Sequence, residues 1–269
     1  MSGFELKLKA APAERLDLSG LTPSALAGMT AGDVAKIGIG TSKAHVTVGD
    51  VFTVAGAAGD TLRISGGSDR FDFVGAKLDA GTLVVTEEVG VFAAAQMKGG
   101  RLEIGGNVGL GLGAAMKGGV VHVKGSAGDL VGGLRPGEQY GMQGGTIVVD
   151  GDIGERAGDR MRRGTIIARG MFGKWAGTRL MGGTLWTTKG FGDEPGLQMR
   201  RGTLIAPSVS RMISTFGDGG MHDLTILRIL SRDTAQRLGE LSPPPLPAKV
   251  RKYSGDLSIF GKGELLLTS

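Results

Sequence analysis

The sequence contains no cysteine, which excludes a disulfide framework and any thiolate metal centre and fits a reducing compartment. Aromatic residues make up only 5% of the 269 positions, so a core of large interlocking rings is not available. Histidine occurs three times, at His45, His122 and His222, with none of the short spacings that hold a metal. No apolar run approaches the length of about 18 residues that a membrane span needs. The opening MSGFELKLKA carries Glu5, Lys7 and Lys9 where a signal peptide would be apolar. The expectation is a soluble, cytoplasmic chain.

Glycine, by contrast, is abundant, at 51 residues. Without a Gly-X-Y period this composition excludes collagen and points to many tight turns. Hydrophobic residues at 41% still allow a layered aliphatic core. A net charge of +5 and a pI near 9.6 imply an acidic partner: nucleic acid, an anionic cofactor or another subunit. Charge alone does not choose among them.

The glycines are periodic. Gly81, Gly100, Gly119, Gly145, Gly164, Gly183 and Gly202 each precede a β-rich triplet, at intervals of 19, 19, 26, 19, 19 and 19 residues. Three residues before each stands Leu78, Met97, Met116, Met142, Met161, Leu180 or Met199. Met alternating with Leu reads as core filler rather than a copper site. Two residues after each glycine stand Leu83, Leu102, Val121, Ile147, Ile166, Leu185 and Leu204, and four after, Val85, Ile104, Val123, Val149, Ala168, Thr187 and Ala206. The step of two is strand alternation. G-x-φ-G corners with φ apolar follow, as at Gly106 to Gly109 and Gly151 to Gly154.

A 19-residue unit cannot bury a face alone and must stack on its neighbours. The pattern therefore predicts an all-β fold, a right-handed single-stranded parallel β-helix over residues 41–207. TLRISG, with Leu62 and Ile64, fits as one earlier turn, and HVTVGDVF around Val46 and Val48 as another. Residues 1–40 are expected to form an N-terminal cap, with FELKLKA as a strand and TPSALAGMT as a short helix. Residues 208–269 are expected to hold a helix over 224–241, a stiff SPPPLP tether and a terminal strand, together an arm reaching over the rod or onto another chain. The turn lengthened by seven residues holds DLVGGLRPGEQYG at 129–141, read as a surface loop.

Candidate chemistry is sparse. His122 falls between the inward columns and is read as an outward, solvated or interface residue. His222 beside Asp223 admits a base with an orienting carboxylate, the one route to a stand-alone enzyme. The GLGLGAA run at 109–115 imitates a dinucleotide fingerprint, but no βαβ unit surrounds it. The most informative polar feature is a column two residues before each repeat glycine: Asp79, Lys98, Lys117, Gln143, Arg162, Met181 and Arg200. Arg160 and Arg179 flank it, and Arg163 and Arg201 stand where glycine is usual. Stacked like charges need counter-charge, from a polyanion or an acidic protein surface, or else form a solvated face. Lys98, Lys117, Arg160, Arg162, Arg179 and Arg200 are the candidate anion-binding residues.

The G-x-x-M-x-G-G segment at Gly113 to Gly119, its relatives ending at Gly145, Gly164 and Gly183, and the G-x-φ-G corners resemble the GXGXG family. That family includes the C-terminal domain of glutamate synthase large subunits and the C subunit of formylmethanofuran dehydrogenase. The length and the tail YSGDLSIFGKGELLL are similar to the C subunit in its bacterial formyltransferase/hydrolase form. The resemblance implies a cytoplasmic hetero-oligomer of one-carbon metabolism, with neither nucleic acid nor membrane as partner. Such a complex moves a formyl group from tetrahydromethanopterin to a furan amine cofactor of the methylofuran or methanofuran type and releases formate. It implies a structural subunit with no catalytic residues, no bound metal and no covalent cofactor, its reacting sites on other subunits. Furan cofactors of this family carry glutamate-rich tails, which the basic column would contact. A glutamate-synthase-like domain organising ammonia transfer is the alternative within the family.

Overall fold

The computed structural model describes residues 3–43 and 45–268; Met1, Ser2, Ala44 and Ser269 lie outside the described residues. Its main feature is a thirteen-stranded sheet. From Gly3–Leu8 through Thr61–Ser65 and the seven repeat strands to Gly263–Leu267, neighbours pair in parallel. Only the outermost strands are antiparallel: Phe52–Gly56 at one end, Lys249–Gly255 and Gly217–Asp223 at the other. The chain is thus all-β in its core. No described helix is long and apolar enough to cross a membrane.

Register follows the repeat. Ile147 lies opposite Val121 and Ile166, and the same column runs on through Leu185 and Leu204 to Leu265. At the other end it reaches Leu62 and Phe4. The apolar columns two and four residues after the repeat glycine, and the Met/Leu column before it, are buried throughout. A second parallel ladder of bridges links the corners, from Ser68 through Val89, Val108, Ala127 and Ile153 to Phe172.

Close stacking explains two of the glycines. Gly113 has φ +65°, and a Cβ there would sit 2.4 Å from Ile147 Cδ1 on the following turn. At Gly119, with φ +87°, a Cβ would meet Met97 Cε at 2.6 Å. Both positions need a left-handed backbone and leave no room for a side chain.

Two expectations at the N-terminus fail. TPSALAGMT forms turns rather than a helix, with bonds such as Ala27 N to Ser24 O and Met29 N to Leu26 O that do not propagate. Gly28 takes φ +77°, and the helix begins only at Ala31–Ala35, behind the Thr30/Asp33 capping box. HVTVGDVF is not a further turn. Thr47 and Asp50 form another capping box and start the short helix Val48–Val51. The rung before Thr61–Ser65 is the N-terminal strand itself, with Phe4 on Leu62 and Leu6 on Ile64.

The C-terminal segment folds back onto the repeat strands of its own chain. The helix Thr225–Leu238 covers the outward column over the last turns. Val148, Ile167, Trp186 and Ile205 therefore form a second core with Leu227, Leu238, Val250 and Leu266. At its edge His122 is buried, at 7% exposure, and bonds Asp150 Oδ2 at 3.0 Å, so it is not the solvated residue its column suggested. Arg169 meets the same carboxylate, its Nη1 3.1 Å from Asp150 Oδ1, and donates through Nη2 to the Glu240 carbonyl just past the helix.

Asp256 caps the last repeat at the C-terminal end of the parallel stack. In successive turns a left-handed residue donates its N–H to the next turn, as Arg160 does to Thr178 O and Arg179 to Leu197 O. Gln198 has no next turn and donates instead to Asp256 Oδ2 at 2.9 Å. Asp256 also accepts from Ser258 N and Oγ and is 1% exposed. Burial alone would raise this carboxyl, but the neighbouring Thr215 hydroxyl together with hydrogen bonds from the Ser258 hydroxyl and the Ser258 and Gln198 amides outweighs it and holds it below the usual carboxylate range. Asp256→Ala is expected to cost about 2–4 kcal/mol, because it strands buried N–H donors. An unchanged denaturation midpoint would refute this role. The depressed carboxyl contributes stability above the ordinary carboxylate pKa, and that contribution disappears as pH falls through the lowered value.

Candidate anion-binding groove

The basic column is a structural column. Lys98 N donates to Leu78 O, Lys117 N to Met97 O, Arg162 N to Met142 O and Arg200 N to Leu180 O, all at 2.7–2.8 Å. The column's positions thus repeat at the spacing of the strands, about 4.8 Å per rung, with Gln143 and Met181 interrupting the cations so that Lys117, Arg162 and Arg200 stand two rungs apart. Asp79 heads the column. Its carboxyl is held below the usual range, first by the Ser24 hydroxyl and in smaller part by Lys98.

Toward the other end the column opens into a groove of about 540 Å³, lined by Arg160, Arg179, Met181, Gln198 and Arg200 and walled by Gln139, Tyr140 and Ile259. Arg160 and Arg179 project from left-handed backbone, at φ 53° each, which turns consecutive side chains of one column out at the same corner. The inserted loop supplies one wall. It folds back along the preceding turns, with Arg135 over the Phe73 ring at 5.5 Å and a Gln96 to Glu138 hydrogen bond.

The six candidate residues divide. Arg160, Arg179 and Arg200 meet in the groove. Arg162 lies in an adjoining recess with Gln143 and Arg163, its guanidinium 4.5 Å from the Tyr140 ring centre. Lys98 and Lys117 are exposed on the same column but outside the groove. Arg179 is already engaged: it grips Asp159 through Nε at 2.9 Å and through Nη2, and Arg156 Nη2 joins at 3.2 Å. Asp159 is 2% exposed, so this pair anchors the groove wall. Among the described residues, Arg160, Arg162 and Arg200 form no salt bridge. Of the arginines among the six candidates, these are the ones left to meet an external anion.

Sequence reasoning missed Lys262. Thr203 pairs with Glu264, which puts Lys262 beside Arg201, and its N–H donates to Arg200 O at 2.7 Å. The GKGELLL tail, aligned by its glycine on the repeat, carried that signal. His222 and Asp223 do not form a catalytic pair. The His222 ring bonds Gly219 O at 3.0 Å, while Asp223 faces Arg228 at 3.4 Å.

No family model matches the chain. It is 44% identical over 85 residues to the C subunit of the formyltransferase/hydrolase complex Fhc of Methylorubrum extorquens, an alignment spanning 32% of each sequence. A chain in the crystal structure of the formyltransferase/hydrolase complex (FhcABCD) from the same organism, in complex with methylofuran, is similar over nearly its whole length. The likeness covers 98% of this chain and 99% of that one, at 39% identity and a TM-score of 0.91.

Proposed function

The chain belongs to the family of C subunits of formyltransferase/hydrolase complexes, and from that premise we propose that it is a non-catalytic structural subunit guiding an anionic cofactor arm. In this reading the 19-residue repeats coil into a right-handed parallel β-helix, the hand that parallel connections adopt almost without exception. Residues 1–60 cap it and supply its first rung, Gly3–Leu8; residues 61–207 form the rod, and 208–269 close its other end. The formyl group passes between sites on other subunits, from tetrahydromethanopterin to a furan amine cofactor, with formate released.

The observation that carries this reading is a row of cations in step with the backbone ladder, ending in a groove whose Arg160 and Arg200 have no carboxylate partner among the described residues. A glutamate-rich cofactor tail is an extended chain of carboxylates. Cations one or two rungs apart can engage carboxylates along such a tail without one fixed register, and several weak contacts hold such an arm while letting it move. Arg160, Arg162 and Arg200 would hold the tail, with Arg179 orienting the wall through Asp159.

The purified chain is expected to show neither formyl transfer nor formate release, while both appear when it is combined with the remaining subunits. Turnover by the chain alone, abolished by His222→Ala, would overturn the structural reading in favour of a stand-alone enzyme.

A further inference from the structure

The ring of Phe260 is 93% exposed. It contributes almost nothing to the core, yet its backbone is held in the left-handed region, at φ 54°, where glycine or asparagine is the ordinary occupant. Leu257, three residues earlier, is 53% exposed. The turn that presents them is firmly tied. Asp256 N donates to Met199 O, Leu257 N to Thr215 O, Phe260 N to Leu257 O and Gly261 N to Asp256 O. Immediately beyond the ring, Lys262 N donates to Arg200 O. The aromatic side chain is therefore displayed on a rigid mount, with little conformational freedom to lose on association.

The surroundings state what kind of surface it fits. Arg201 and Lys262 are exposed, and neither forms a salt bridge among the described residues. A second copy of this chain, paired about a two-fold axis through this point, would set these cations against themselves. An acidic surface would instead be attracted to them. We infer that Phe260 is an anchor for docking another subunit of the complex, inserting into an apolar pocket with an acidic rim. This inference rests on the complex membership proposed above. Ile259, the preceding residue, lines the groove with Arg160 and Arg200, so the docked subunit sits at the mouth of the groove. An aromatic anchor inside a charged rim is a common energetic centre of protein interfaces.

The test measures binding of the full chain to the purified remaining subunits. Phe260→Asn keeps a residue that tolerates the left-handed backbone, so its unfolding temperature should match the wild type while its affinity falls about tenfold or more. Arg201→Glu should also weaken binding and flatten its salt dependence. Phe260→Asn that binds with the wild-type constant would overturn the assignment, and so would a wild-type homodimer dispersed by the same substitution. Failure of the wild-type chain to bind the other subunits at all would overturn complex membership first, an outcome distinct from failure of the Phe260 assignment alone.

Discussion

Ile147→Asp is expected to leave no cooperatively folded chain. Ile147 is fully buried, flanked in register by Val121 and Ile166, and its Cδ1 fills the space that Gly113 leaves open. The substitution removes about 2–3 kcal/mol of apolar burial and places a carboxylate among aliphatic side chains, at a further cost of several kcal/mol. The sum is comparable to the whole stability of a typical domain, about 5–15 kcal/mol. The damage also lies mid-stack, and each repeat depends on both neighbours for its buried face. Ile147→Val keeps the register and should cost only about 1 kcal/mol. Thermal unfolding of the two variants checks this. A soluble Ile147→Asp chain with the wild-type transition would mean that the inward columns are wrongly assigned.

What the sequence made legible is what repeats. Columns at fixed offsets from the glycines became in-register neighbours because parallel stacking puts equivalent residues of successive turns opposite one another. The ends do not repeat and were less legible. Val46 and Val48 alternate like a strand, but the Thr47 and Asp50 side chains cap a helix there. The outward column of Val148, Ile167, Trp186 and Ile205 was apolar enough to announce a cover, yet only the fold shows the helix Thr225–Leu238 lying on it. The groove was half legible. Its cations followed the period, whereas Asp159, which takes up Arg179, is a single acidic residue in an otherwise uncharged column. Lys262 was hidden because its rung is reached only after the chain has made the helix and returned.

The second large effect falls on flux. Replacing Arg160, Arg162 and Arg200 together by Glu turns three cations into three anions in and beside the groove. Asp159, Arg156 and Arg179 are untouched, so the groove wall keeps its internal ion pairs. Losing even two of the three charge-assisted contacts, at about 1.5 kcal/mol each, lowers affinity for the arm about a hundredfold, and the third loss and added repulsion lower it further. The wild type should itself slow as salt rises, because exposed charges are screened. Acidic docking at these arginines makes a different prediction, since reversal would then dissociate the complex.

The decisive measurement is formate release by the reconstituted complex carrying the triple Glu replacement, with the mass of the complex determined on the same sample. A complex of full mass whose formyl flux has dropped about a hundredfold is the result expected of a guiding track. A complex of full mass with normal flux would contradict it and leave the basic column as a solvated face.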